Sequence, residues 1–342
     1  MQKYNFRNDY SEGAHPRILE ALARASGEQN EGYGLDRHSL RAAELIRAAC
    51  AAPQAAVSFV EGGTQANLLA AAALLRPWES VVAAETGHIH GHESGSIESA
   101  GHKIIAVPGT EGKLTAAAAR RALEQNREEY CPRPGMLYLS DSSETGTVYT
   151  REELQELREL CREEGLRLFV DGARLGSALC VEGGGVTLET VAACADMFTI
   201  GGTKNGALLG EALVTPDPAL AAGFRRLMKQ RGAMLAKGMV LGVQFEELFS
   251  DGLFFQLARH ANAQAERLRQ GLAGLGFRFF AGSPTNQLFP LLPARVEEPF
   301  RRLCACEIWG RQEGETAVRL VTSWATRPET VEAFLRDCAA LL

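Results

Sequence analysis

No stretch of the 342-residue chain approaches the run of about 18 apolar residues that a membrane-spanning helix needs. The opening MQKYNFRNDY likewise carries none of the apolar core of a secretory signal. The eight cysteines (Cys50, Cys131, Cys161, Cys180, Cys194, Cys304, Cys306 and Cys338) include no CxxC pair, so neither a thiolate zinc site nor a dithiol redox couple is expected. Several stand in apolar or helical stretches, as buried free thiols do, and a reduced cytoplasmic protein is expected. Positive charge is not in surplus: 36 basic residues face 42 acidic ones, for a net charge of -6, which argues against nucleic acid or an anionic membrane as main partner. No internal repeat or low-complexity segment is found, and neither GxGxxG nor a Walker loop occurs, which counts against a dinucleotide or a nucleoside triphosphate. The ligand expected is small.

What is present is an ordinary globular composition, 46% hydrophobic and 23% charged, long enough for one large domain or two unequal ones. Short apolar runs at Ala56–Val60, Val81–Ala84, Ile104–Val107, Met136–Leu139, Arg167–Val170, Asp196–Ile200 and Glu211–Val214 read as strands. Amphipathic stretches at Ser39–Ala52, Gln65–Leu75, Thr115–Arg127 and Arg151–Glu164 read as helices between them. Such alternation predicts an α/β fold with a mostly parallel sheet between helices, and it puts functional loops at the carboxyl ends of the strands. After about residue 245 the order becomes helix, strand near Gln287–Leu292, strand near Ala317–Thr322, and a last helix from Pro328. The expected division is an N-terminal arm and large domain over 1–244 and a smaller α+β domain over 245–342.

Lysine is scarce, with six in the chain, and Lys204 stands apart just past an apolar strand in Gly201-Gly202-Thr203-Lys204. A lysine in a partly dry cleft has its ammonium disfavoured, and the free amine can attack a carbonyl; a surface lysine in a turn is the alternative. Asp171 ends the strand Arg167–Val170, so a buried strand delivers a carboxylate into the cleft. Its partner would be either Arg174 or a protonated ring nitrogen of a cofactor. Glu61-Gly62-Gly63-Thr64 joins a strand to a helix, and free amides at that helix start, reached past two glycines, suit a phosphate. His88, His90 and His92 would share one face if extended, as metal ligands could, yet glycines are dispersed through the run and no further ligand motif completes a shell. One functional histidine, and no metal, is expected. A phosphate turn, a strand-end aspartate and a strand-end lysine are together the parts that pyridoxal 5'-phosphate requires.

The sequence resembles the low-specificity threonine aldolases, including phenylserine aldolase-like members, of the β-eliminating lyase and aldolase branch of the pyridoxal phosphate-dependent transferases of aspartate-aminotransferase fold (fold type I). The resemblance runs over nearly the whole chain, through Phe6-Arg7-Asn8-Asp9, Ala14-His15-Pro16, Gly32-Tyr33-Gly34-Leu35-Asp36, Gly62-Gly63-Thr64, Gly87-His88-Ile89 with Glu93, Val170 to Arg174, Gly201 to Lys204, and Val318 to Thr322. It implies that Lys204 holds the cofactor as a Schiff base, that Asp171 pairs with the ring nitrogen and that His88 stacks on the ring. Gly62, Gly63, Thr64 and Thr203 would hold the phosphate. Arg319, helped by Arg174, would fix the substrate carboxylate, with Asn8 and Tyr33 as further substrate contacts; Tyr33 and Asp36 fall where the family contributes to the active-site entrance, the chain's own or that of a neighbouring subunit in a homodimer or homotetramer. For Arg319 an interdomain salt bridge is the alternative reading. Two departures stand out. Many relatives carry a histidine that contacts the substrate β-hydroxyl where this chain has Ser140 to Gly146, and a common serine is here Asn8. Both fit a subgroup acting on bulkier β-hydroxy amino acids as well as threonine.

The function implied is cleavage of threonine, allo-threonine or phenylserine to glycine and an aldehyde, with His88 the first candidate for the base. A β-eliminating lyase, a racemase, or a non-catalytic binding protein on the same fold are the rival expectations.

Overall fold

The computed structural model describes residues 2–342. Its central sheet has seven strands in the spatial order Ala56–Val60, Glu211–Thr215, Met197–Gly201, Arg167–Asp171, Arg133–Ser140, Glu79–Ala84 and Ile104–Val107. The last five of these pair in parallel. Glu211–Thr215 departs from the simple alternating pattern and runs antiparallel to both neighbours. The reason is local: the chain between Gly201 and Glu211 holds no helix, and without a crossover a strand must reverse. That reversal puts Glu211 opposite both Gly201 and Val60, at the edge where the other strands end.

Alternating strand residues feed two separate cores. Leu137, Leu139, Leu168 and Val170 face one layer of helices, whereas Met136, Tyr138 and Phe169 face the other. The helices begin and end where chain chemistry directs. Thr150 and Glu153 form a reciprocal capping box for Arg151–Glu164, and Gly165 stops it in the left-handed conformation. Thr115 caps Ala116–Gln125 rather than opening it. Gly63–Leu74 starts two residues earlier than its apolar pattern suggests, with Gly62 as cap and no side chain closing its first turn.

In the C-terminal part, Glu307–Gln312 and Glu315–Val321 form an antiparallel hairpin. Leu288, Phe300, Val318, Leu320 and Phe334 build its core, together with Tyr4 and Phe6 from the N-terminal arm. The helix Leu253–Gly274 spans both parts: Leu253, Phe254 and Leu257 enter the core of the large sheet, Ala265, Leu268 and Leu272 that of the small one. The expected division after residue 244 lies within the helix Met239–Ser250, whose Phe245 and Leu248 also pack against the large sheet. Among the described residues no helix is long and apolar enough to cross a membrane.

Phe254 is fully buried, stacks on Phe249 at 5.1 Å, and accepts a hydrogen bond from Asn205 through its carbonyl. Phe254→Ala should cost about 3–5 kcal/mol in denaturant unfolding; a loss below about 1 kcal/mol would show that the site collapses around the cavity. A second test uses pH. Burial pushes the Asp141 carboxyl up to about 7, against the opposing Tyr149 amide and Lys113, and one of its oxygens has no partner. Between about pH 4 and 7 the folded chain therefore holds a proton here that the unfolded chain has lost, so stability falls as pH rises through that window. Asp141→Asn should remove this fall and be the more stable protein at pH 8, by on the order of 2 kcal/mol. Parallel stability curves from pH 5 to 8 would contradict it.

Candidate active site

The carboxyl ends of the strands, the N-terminal arm and the C-terminal hairpin enclose a cavity of about 550 Å³. Asn8, Gly62, Gly63, Thr64, His88, Asp171, Arg174, Thr203, Lys204 and Arg319 all line it. Tyr33 does not. It borders a separate cavity near Arg225 and Gly238, is 44% exposed, and has Lys229 over its ring at 4.8 Å. Asp36 is buried as the cap of Arg37–Ala49, bonded to the Ser39 amide.

The Asp171 and Lys204 turns lie back to back. Gly172 donates to the Thr199 hydroxyl, and Gly201 donates to the Gly172 carbonyl at 3.0 Å. A Cβ on Gly172 would stand 2.0 Å from the Thr199 carbonyl, and one on Gly201 2.3 Å from that of Ala173, so both turns require glycine. Asp171 does not pair with Arg174. Its oxygens accept from the Tyr138 hydroxyl at 2.6 Å, the Asn67 amide at 2.8 Å and the Ala173 backbone N–H at 3.0 Å. All three donors are neutral, so among the described residues this buried carboxylate has hydrogen bonds but no ion-pair partner, and the one cation acting on it from across the cavity is the depressed amine of Lys204.

Arg174 instead grips Asp9 with two bonds, at 2.7 and 3.0 Å, and Asn286 donates to the same aspartate. Burial works against the Asp9 charge, but Arg174 and Lys204 outweigh it and hold its carboxyl below the usual range. Burial and the Arg174 guanidinium lower the Lys204 ammonium, and burial raises the Glu211 carboxyl beside it. A free amine is thereby favoured at Lys204.

Arg319 pairs with Glu307 on the adjacent strand, an ion pair within the C-terminal hairpin rather than between domains, and lies 5.6 Å from the Trp309 ring. Its Nε is buried without a partner, as are Glu61 Oε2, Ser142 Oγ and Glu211 Oε2 on the same wall. Nothing lies within 4 Å of where a Cβ of Gly62 or Gly63 would stand, so the helix start is open to the cavity. Thr203 lines the cavity while its hydroxyl bridges to Gly210. Asn8 turns its carbonyl to the Tyr10 amide and the Ser11 hydroxyl. His88 opens a short helix, not a strand; its Nδ1 lies 2.8 Å from Glu93. His90 is exposed, and His92, expected to be incidental, also borders the cavity. An uncompensated buried carboxylate, a depressed amine, an open helix start and unpaired polar atoms together fit a phosphorylated, ring-containing cation such as pyridoxal phosphate.

Sequence reasoning did not find Asp9, Asn67, Tyr138, Glu144 or Glu211. Glu144 ties the loop after Ser140 to His88, accepting from the Ser140 hydroxyl at 2.6 Å and the His88 amide at 2.8 Å. Asp9 lies within the Phe6-Arg7-Asn8-Asp9 motif, Asn67 closes the segment that begins at Glu61, and Glu144 lies in Ser140 to Gly146, but none of them had been given a role.

The family described as beta-eliminating lyase matches residues 5–292. A low specificity L-threonine aldolase of Pseudomonas aeruginosa is 31% identical, over 97% of this chain and 96% of its own length. A threonine aldolase structure from Leishmania major superposes with a TM-score of 0.97 at 44% identity, covering 99% of both chains. Aspartate aminotransferase of Thermus thermophilus, 20% identical with a TM-score of 0.74 over 100% of this chain and 92% of its own, shares the fold. The architecture is thus that of fold type I, and the chain belongs to the beta-eliminating lyase family.

Proposed function

We propose that this chain cleaves the Cα–Cβ bond of β-hydroxy-α-amino acids, of the threonine and phenylserine type, to glycine and an aldehyde with pyridoxal 5'-phosphate as cofactor. The observation that carries the reading is Asp171, a buried carboxylate with three neutral donors, in one cavity with the depressed amine of Lys204. The names of the threonine aldolase relatives support the substrate class.

Lys204 would carry the cofactor, Asp171 would keep its ring nitrogen protonated, and the amides at Gly63 and Thr64 would hold its phosphate. When bound, pyridoxal phosphate supplies an electron sink for bonds at Cα. The chain's own groups do the rest. Arg319, with Arg174 nearby, orients the substrate carboxylate through a planar guanidinium fork. Glu93 already accepts from Asn67 and Ser96, so it accepts a hydrogen bond from His88 Nδ1–H as well, which leaves the lone pair of the neutral ring on Nε2. Nε2 then accepts the β-hydroxyl proton as the Cα–Cβ bond breaks, the aldehyde departs, and the return of that proton to Cα gives glycine and restores the neutral imidazole.

Tyr33, Leu35 and Leu40 form an exposed apolar patch away from the chain's own cavity. This supports a homodimer or homotetramer in which Tyr33 serves a neighbouring copy's site. Eight free thiols fit the reduced cytoplasmic setting.

Glycine release from threonine and phenylserine, assayed side by side, tests the function. Both should yield glycine, phenylserine at least as well, because apolar side-chain discrimination is worth only about 1–3 kcal/mol. Pyruvate and ammonia from serine, with no glycine from either substrate, would make the chain a β-eliminating lyase. Racemised substrate without glycine would make it a racemase. Arg319→Ala should weaken both substrates about equally, by on the order of 2–4 kcal/mol in kcat/KM; a loss confined to one of them would contradict the carboxylate role.

A further inference from the structure

The groups around Asp171 form a circuit of polar contacts, hydrogen-bonded except between the Tyr138 and Ser140 oxygens, whose protons go to Asp171 and Glu144. Asn67 Nδ2 donates both to Asp171 Oδ2 at 2.8 Å and to Glu93 Oε1 at 2.7 Å. From Asp171 the path runs through the Tyr138 hydroxyl to Ser140 Oγ at 3.2 Å, then to Glu144 at 2.6 Å. Glu144 takes the His88 backbone N–H, and His88 Nδ1 returns to Glu93. Asn67 is the shortest link across this circuit, and it is fully buried on the helix Gly63–Leu74. Both of its amide hydrogens are used on carboxylates, while its Oδ1 has no partner.

Two carboxylates that share one nitrogen at under 3 Å are near neighbours, and like charges so placed oppose double ionisation. A donor that cannot itself lose its proton at ordinary pH offsets that repulsion. Aspartate in its place would add a third charge, and alanine would leave the pair bare. The unsatisfied Oδ1 is a cost that the helix bears to keep both donors on the carboxylates.

We propose that Asn67 is a positioning residue that holds Asp171 and Glu93 as a doubly ionised pair, thereby fixing both the charge offered to the cofactor ring and the tautomer of His88. The inference rests on the function proposed above. Other ionisable groups facing the pair are Tyr138 and Glu144, His88 and His92 from the segment before Glu93, and Lys204 and Glu211 across the cavity.

The experiment compares wild type, Asn67→Ala and Tyr138→Phe as full-length chains. Two readouts are taken: affinity of the cofactor-free protein for pyridoxal phosphate, and the pH dependence of kcat for phenylserine cleavage. Tyr138→Phe strips a donor from Asp171 alone, so affinity should fall while the acid limb stays. Asn67→Ala should lower affinity about tenfold. It should also move the acid limb up by about one pH unit, because Glu93 with one donor fewer holds the His88 proton more firmly. Wild-type affinity in Asn67→Ala, or an acid limb unmoved as in Tyr138→Phe, overturns the proposal. If Asn67→Ala does not fold, Asn67→Ser replaces it: one hydroxyl proton can serve only one carboxylate, so affinity or limb must still change, and a variant matching wild type in both is contrary. A wild-type chain that binds no pyridoxal phosphate would instead defeat the functional reading itself.

Discussion

Burying the Asp171 carboxylate among a phenol, an amide and a backbone N–H stabilises its charge without compensating it. Ion burial costs several kcal/mol unless an opposite charge repays it. The chain spends two strand-end turns, closed on each other through Gly172 and Gly201, to put this carboxylate beside Lys204. Arg174, three residues on, is engaged by Asp9. A ligand with a protonated ring nitrogen completes the site, and most of the cleft can be understood as the apparatus that presents that ligand to an amino acid.

Arg174 is withheld from Asp171 by Asp9. That bidentate pair joins residues 165 positions apart, and Asn286, which also bonds the Thr322 carbonyl, extends the contact toward the hairpin strand that carries Arg319. One buried aspartate thus ties the N-terminal arm, the large sheet and the C-terminal part into a common wall. Tyr4 and Phe6 reinforce the tie by entering the C-terminal core. Burial, and after it the neighbouring Arg174 guanidinium, make the Arg319 charge harder to hold, a condition that favours an incoming carboxylate.

Residues whose place in the cavity follows from local context were legible. Lys204 among glycines, Asp171 at a strand end and Gly62-Gly63-Thr64 at a helix start each have a signature within a few positions. Arg151–Glu164 was legible to the residue because a capping box and a terminal glycine mark its ends. Partners set by tertiary contact were not. Tyr138 reads as a core residue of an apolar strand, and only the fold shows that its hydroxyl reaches Asp171. Asn67 reads as one polar position in an alanine-rich helix. The antiparallel turn of Glu211–Thr215, which brings a buried acid to Lys204, follows from a missing crossover helix that strand periodicity does not register. The histidine run would share one face only if extended, and with glycines dispersed through it His88–Gly91 forms a single helical turn instead.

The central claim is that Asp171 obtains its ion-pair partner from a bound ring nitrogen. The most direct test is the ¹⁵N chemical shift of the ring nitrogen of ¹⁵N-labelled pyridoxal phosphate bound to the full chain, compared with the same cofactor in Asp171→Asn. The account predicts a protonated nitrogen in the wild-type site, held so at pH values where the free cofactor has lost that proton, and an unprotonated one in the variant. An unprotonated nitrogen in the wild-type site, or the same protonated shift in both, would contradict it.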